Sequence, residues 1–246
     1  MNSGASVYVL ASRMLGQAQR LDMVADNVAN ANTHGFKRLA QDMKETIGGT
    51  PLRPAGSFTE NQPVRIIHQD GALETTGNTF DVALQGEGFF AIQDAAGGDR
   101  KYTRVGQFAL DVQGNLVTMA GERVMDVNDA PITLPIDQKI TIARDGTIST
   151  EEGIVANLGV YRFENIDALK RAGATLYMND PNTNPALPVA TPQVFQGMLE
   201  GSNVNPIIET VNMTTVLRSY QSTLRAMTTL EEAETTAIRD LARIPQ

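Results

Sequence analysis

Over the first thirty residues the apolar positions recur at steps of three and four. Between Ser6 and Ala31 they fall at Val7, Leu10, Met14, Leu15, Ala18, Leu21, Val24 and Val28. That spacing lines them up on one narrow stripe of a helix. No proline occurs before Pro51. Gly16 is a weak point, costing roughly 1 kcal/mol relative to alanine, although with Ala11 and Ala18 it would also let another helix approach closely. A second stripe closes the chain: Ile207, Thr210, Met213, Leu217, Tyr220, Leu224, Met227, Leu230, Glu234, Ile238 and Leu241. Ser202, Asn203 and Asn205 offer N-caps for it, and Pro206 suits a first helical turn. The two patterns predict helices of about 25–30 and about 35 residues, roughly 40–45 Å and over 50 Å long. Both are well beyond the usual length of about 11–12 residues.

Between the stripes the period changes. Gly71–Tyr177 holds 13 of the 21 glycines. Short β runs lie at Phe80–Leu84, Gly88–Gln93, Tyr102–Val105, Phe108–Asp111, Leu116–Met119, Ile132–Pro135, Ile140–Ala143, Thr147–Ser149 and Leu158–Phe163. Turn signals such as Gln113-Gly114-Asn115 and Asp145-Gly146 separate them, as in an antiparallel all-β domain. The helical pattern resurfaces only at Asn165–Ala172. Ala40–Ile47 reads as a short helix or strand, Gly48–Pro63 as a long loop, Val64–His68 as a strand, and Asn179–Pro192 as an extended return linker. The predicted fold class is therefore α+β: long N- and C-terminal helices packing as a coiled-coil-like pair, with a central antiparallel β domain inserted between them. The segments are 1–38 (first helix), 39–75 (linker), 76–178 (β domain), 179–205 (return linker) and 206–246 (second helix). Each stripe is too narrow for the core of a globule. A two-helix pair, parallel or antiparallel, leaves apolar surface uncovered, and the simplest remaining partner is another chain.

The first helix has an unusual end. Leu21–Arg38 carries Asn27, Asn30 and Asn32 where Glu, Lys or Gln would be better helix formers. Gly35 is expected to make the turn out of the helix, with Lys37 and Arg38 near its negative end. The asparagines are expected to serve either subunit contacts or the bend into the linker.

Composition narrows the chemistry. A net charge of −8 argues against nucleic-acid binding through bulk charge. The absence of cysteine removes disulfides, thiol catalysis and Cys-based zinc sites. The two histidines, His34 and His68, lack metal-ligand spacing and read as solvated loop residues. Glu151-Glu152 and Glu231-Glu232 have no apolar setting that would raise a carboxylate pKa. Gly86-Glu87-Gly88 lacks the lysine and following helix of a phosphate loop and reads as a tight turn. The expectation is no enzyme, no cofactor, no metal and no small-molecule substrate. The N-terminus has neither a basic n-region nor a long apolar core, so it reads as neither a Sec leader nor a membrane span.

Three blocks carry a resemblance. Asp26–Arg38, DNVANANTHGFKR, is similar to the N-terminal signature of the rod, hook and related axial proteins of the bacterial flagellum, with Asp26 and Val28 as mild departures. Thr76–Phe90, Tyr102–Phe108 and Asp111–Thr118 resemble that family's central blocks, and Gly197–Pro206, GMLEGSNVNP, resembles the segment ahead of its C-terminal helix. The resemblance runs in order along almost the whole chain. It implies a structural subunit of the basal-body rod that polymerises through its terminal helices into a periplasm-crossing drive shaft. It also implies export without a cleaved leader by the flagellar type III apparatus, and contacts with itself and other rod proteins. Length narrows the choice to a proximal-rod or a distal-rod member, and the Ala130–Ser149 segment, the plain N-terminus and the lack of tryptophan favour the proximal one. On this reading Leu10, Met14, Leu21, Val24, Asn27, Val28, Asn30, Asn203, Asn205, Met213, Leu217, Tyr220, Leu224 and Met227 are candidate subunit-interface residues. A periplasmic binding module on a helical stalk is the alternative from another class. It would need an aromatic-lined groove, whereas aromatics are 5% of the chain and those of the β region mostly fall at core-like positions.

Overall fold

The computed structural model describes residues 3–41, 43–48, 56–61 and 64–241. Two helices flank a central antiparallel β region. The chain divides into two compact units, one of residues 1–29, 39–65 and 205–246, the other of residues 30–38 and 66–204.

The first unit contains helix α1, Ser3–Ala29, and helix α2, Pro206–Leu241. Asn205 caps α2: its Oδ1 accepts the backbone N–H groups of Ile207 and Ile208 at 3.1 and 3.2 Å. Pro206 follows as the first helical residue, where a missing N–H costs nothing. Met43–Gly48 and Gly56–Asn61 form an antiparallel hairpin, so the region expected to be a helix or strand is a strand, and one flank of the expected loop is paired with it. Residues 49–55 and 62–63 lie outside the described residues.

The second unit is the β region. Its largest sheet has nine strands, all antiparallel, built around Phe89–Gln93. Lys101–Thr103, Arg123–Val124 and Val160–Arg162 all pair with that strand. Side chains alternate across a strand, and here both faces are buried. Phe90 and Ile92 enter a core with Val82, Leu84, Phe108, Leu116, Ile148 and Leu158. Phe89 and Ala91 enter a second, aromatic cluster with Tyr102, Tyr161, Phe163 and Tyr177. Most of these rings meet edge to face, as for Tyr102 and Phe163 with centroids 4.8 Å apart, the arrangement favoured by aromatic quadrupoles. A Cβ at Gly106 would sit 1.6 Å from the Val82 carbonyl oxygen, so only glycine admits this approach of two backbones.

Local differences from expectation have plain causes. Asn165–Ala172 is a 3₁₀ turn, Ile166–Ala168, followed by the strand Lys170–Arg171. Leu169 is drawn into the aromatic cluster, and burying one leucine outweighs a short run's helical preference. The expected return linker belongs to the β unit. Leu187–Pro188 pairs with Val160–Arg162, and buried Asn184 donates to the carbonyl of Asn165 at 2.8 Å.

Candidate functional site

In the first unit the two helices are joined by polar groups inside an otherwise apolar contact. Gln17 donates through Nε2 to Ser219 Oγ at 2.7 Å and accepts from Thr223 Oγ1 at 3.2 Å. Ten residues further along α1, Asn27 donates through Nδ2 to Glu209 Oε2 at 3.4 Å. The later α1 residue meets the earlier α2 residue, so the helices run antiparallel. Asn27 is fully buried and also bonds both ways with Leu39, Nδ2 donating to its carbonyl at 2.9 Å and Oδ1 accepting its N–H at 2.8 Å. An asparagine side chain is one of the few that can satisfy both groups of a buried peptide unit. Met23, Val24 and Val216 complete the buried contact.

The buried and exposed stripes of each helix lie on opposite sides. On α2 the buried residues are Glu209, Val216 and Thr223, seven apart, whereas Ile207 and Val211 are 76% and 61% exposed. At 3.6 residues per turn, positions two before and two after Glu209 point about 160° away from it. On α1 the buried side chains are Gln17, Met23, Val24 and Asn27, while Tyr8 and Leu15 are 76% and 62% exposed. Leu15 again lies about 160° round the helix from Gln17. Both helices therefore carry large apolar side chains on the face turned away from their intramolecular contact.

In the second unit four charged groups converge. Glu200, 2% exposed, accepts from Lys37 Nζ at 2.7 Å through Oε1 and from Arg104 Nε at 2.5 Å through Oε2. Arg104 Nη2 reaches Asp70 at 3.1 Å, and its remaining donors are taken by the carbonyls of Leu84, Gly86 and Gly88. Lys37 also donates to the Gln69 carbonyl at 2.8 Å. Burial pulls the Lys37 ammonium below its usual range, and the Glu200 carboxylate opposes that shift. Asn203 staples the same region: Nδ2 donates to the carbonyls of Ile67 and Gln69, and Oδ1 accepts the Arg38 N–H at 2.6 Å.

His68 is not the solvated loop residue that its sequence context suggests. Both ring nitrogens are buried without a hydrogen-bond partner, and the ring lies edge-on to Phe89 with centroids 6.0 Å apart. Burial, aided by the Lys37 charge, pushes its pKa down to about 4, so the imidazole is neutral at pH 7. It lines a cavity of about 270 Å³ together with Lys37, Asp70, Arg104 and Ile166.

The other sequence-designated positions divide by surroundings. Leu10, Met14, Leu21, Val28, Met213, Leu217, Tyr220 and Met227 are half-buried, and Leu224 is just exposed. Asn30 accepts from Thr33 Oγ1 at 3.2 Å. Gly35 lies six residues past the end of α1, at φ +67°, and donates its N–H to the Glu200 carbonyl at 2.7 Å. A Cβ there would approach the Val105 nitrogen to 2.8 Å, so the position needs glycine for both conformation and space. Sequence reasoning missed the ionic cluster and the polar helix contact. The available signal was in the last block, where Glu200 is the one charged residue of Gly197–Pro206.

No group of His, Asp or Glu among the described residues is arranged to hold a metal ion. No helix among them is long and apolar enough to cross a membrane. Residues 7–37 match the flagella basal body rod protein family, residues 83–150 the flagellar hook protein FlgE/F/G D1 domain, and residues 196–240 the flagellar basal body rod FlgEFG protein C-terminal domain. The flagellar basal-body rod protein FlgF of Caulobacter vibrioides is 35% identical, over 97% of this chain and 98% of its own. The chain belongs to the flagellar basal-body rod protein family. Another relative of this rod protein is the FlgF of Mesorhizobium japonicum, 32% identical over 96% of this chain and 97% of its own. The FlgG of Bacillus subtilis is 32% identical over 92% and 95%. Rod proteins are structural subunits of the flagellar basal body, not enzymes. In this rod protein each of the three matched regions supplies one member of the buried cluster: Lys37, Arg104 and Glu200.

Proposed function

We propose that this protein is a proximal-rod subunit, polymerising through the outward faces of α1 and α2 into the tube that crosses the periplasm. The observation that carries the reading is the opposed pair of stripes on each helix. Tyr8, Leu15, Ile207, Ile208 and Val211 are more than half exposed, yet they lie on long helices whose other face is already satisfied. Burying such side chains between subunits contributes roughly 1.5–3 kcal/mol each, and a contact repeated around a helical lattice multiplies that gain. The half-buried positions Leu10, Met14, Leu21, Met213, Leu217, Tyr220 and Met227, with the just-exposed Leu224, flank these faces and complete a coiled-coil-like packing between neighbours. Partners are copies of this chain and other rod proteins. Export proceeds through the flagellar type III apparatus.

The proximal assignment is supported by the form of the alignments. The two FlgF relatives align over 248 and 237 residues, close to the 246 of this chain. The FlgG of Bacillus subtilis needs 255 aligned positions to cover 92% of it. The test replaces Leu15 and Ile207 by glutamate in a motile strain. The expected outcome is a variant monomer with unchanged circular dichroism that is absent from purified basal bodies. Normal incorporation and swimming would overturn the reading. Position along the basal body tests the finer claim, since recovery with the hook side rather than the rod base would reassign the protein to the distal rod.

A further inference from the structure

The strand Gly153–Asn157 is the outer strand of the three-stranded sheet formed with Thr141–Ile142 and Thr147–Thr150; its Asn157 end is engaged, the carbonyl accepting the Val127 N–H at 3.2 Å, and the edge opens toward Gly153. Its pairing slips at one point: Ile148 faces Ala156, but the next residue, Ser149, faces Ile154. Val155 is therefore the extra residue of a β-bulge. A bulge turns consecutive side chains to the same side, and Ile154 and Val155 are accordingly 76% and 41% exposed while Ala156 packs on the core. Apolar edges of this kind are a liability in a chain that stays alone, because unpaired backbone groups beside branched apolar side chains invite another strand. The tip next to it carries exposed Glu151 and Glu152.

A second edge in the same unit has the opposite character. Lys170–Arg171 ends the nine-stranded sheet, pairs with Leu176–Met178 on one side, and faces no described strand on the other. Both of its residues are exposed. One edge is thus apolar with an acidic tip, and the other is basic.

We propose that the Gly153–Asn157 edge of one copy docks on the Lys170–Arg171 edge of a second copy, with Glu151 and Glu152 meeting Lys170. The two edges are different surfaces of the same chain, so the contact is head-to-tail and propagates instead of closing into a dimer. The charge pairing sets direction and register, and the branched side chains supply the buried area. This inference rests on the rod-subunit reading and names a contact of the β unit in addition to those of the helices.

The natural chain has no cysteine, which makes paired cysteines a clean probe. A chain carrying Glu152→Cys and Lys170→Cys, assembled into basal bodies and oxidised, is expected to give a ladder of crosslinked multimers, and each single variant none. Replacing Glu151 and Glu152 by lysine is expected to lower incorporation at least threefold, with recovery when Lys170→Glu is added. Ile154→Asp, checked for unchanged circular dichroism, is expected to lower it similarly. Normal incorporation of all variants with no ladder overturns this inference and leaves the rod reading standing. Reduced incorporation of Ile154→Asp without a ladder overturns Lys170 as the acceptor edge. Absence of the unmodified protein from basal bodies overturns the rod reading, and this inference with it.

Discussion

Glu200 neutralises two cations, Lys37 and Arg104, that are each 3% exposed. Removing one partner of a buried ion pair leaves an uncompensated charge, which costs about 3–5 kcal/mol. Glu200→Ala should therefore lower the unfolding free energy of the monomer, read from denaturant melts, by that order, whereas Lys37→Met with Glu200→Leu should lose less than the sum of the two single variants. His68 gives a pH dependence of definite sign. Its folded pKa, about 4, lies below the unfolded value of 6.5. The unfolded chain therefore binds the proton first as the solution is acidified. Stability is fully present above pH 6.5 and is lost progressively down to about 4. Unfolding melts across that window should flatten in His68→Leu relative to the natural chain, since the same carboxylates titrate in both. These groups were the least legible in the sequence. Lys37 was read as a helix-end cation and His68 as a loop residue, because their burial depends on strands that reach them from elsewhere in the chain.

Among the elements, the helices were legible almost to their ends, because a three-four repeat sustained over many turns has no competing interpretation. Which face points inward was not. The intramolecular contact uses Gln17, Asn27, Glu209 and Thr223, polar residues that no apolar count selects. The Asn27 amide bonds to Leu39, in the chain that follows the helix, and to Glu209. Asn27→Asp places a second carboxylate beside Glu209 Oε2, which lies 3.4 Å from the present amide nitrogen. Two adjacent buried carboxylates cannot both ionise cheaply. The variant should be destabilised at pH 7 and partly recover below about pH 5, as followed by the thermal loss of helical circular dichroism. Gly35→Ala combines a positive φ with a 2.8 Å approach to backbone and should cost about 2–3 kcal/mol in the same assay. The β runs were legible through their turns. The order of nine strands was not, since pairings such as Val160 with Phe90 join residues far apart in the chain.

For the whole molecule, the sequence blocks pointed to the family before any coordinate did, and the three matched regions, 7–37, 83–150 and 196–240, bear that out. What the blocks could not convey is that each contributes one charge to a single buried site. That arrangement fixes an order of events. Lys37 and Glu200 are 163 positions apart, and Arg104 and Glu200 are 96. A chain that emerges N-terminus first, from a ribosome or from a narrow conduit, presents both cations long before the carboxylate that neutralises them. Until residue 200 arrives, half-exposed Asp70 is the one carboxylate of the cluster beside the two cations, so closing the β unit early carries a charge penalty. The cluster thus has the form of a terminal latch on the β unit: it is complete only when its last member, Glu200, is out.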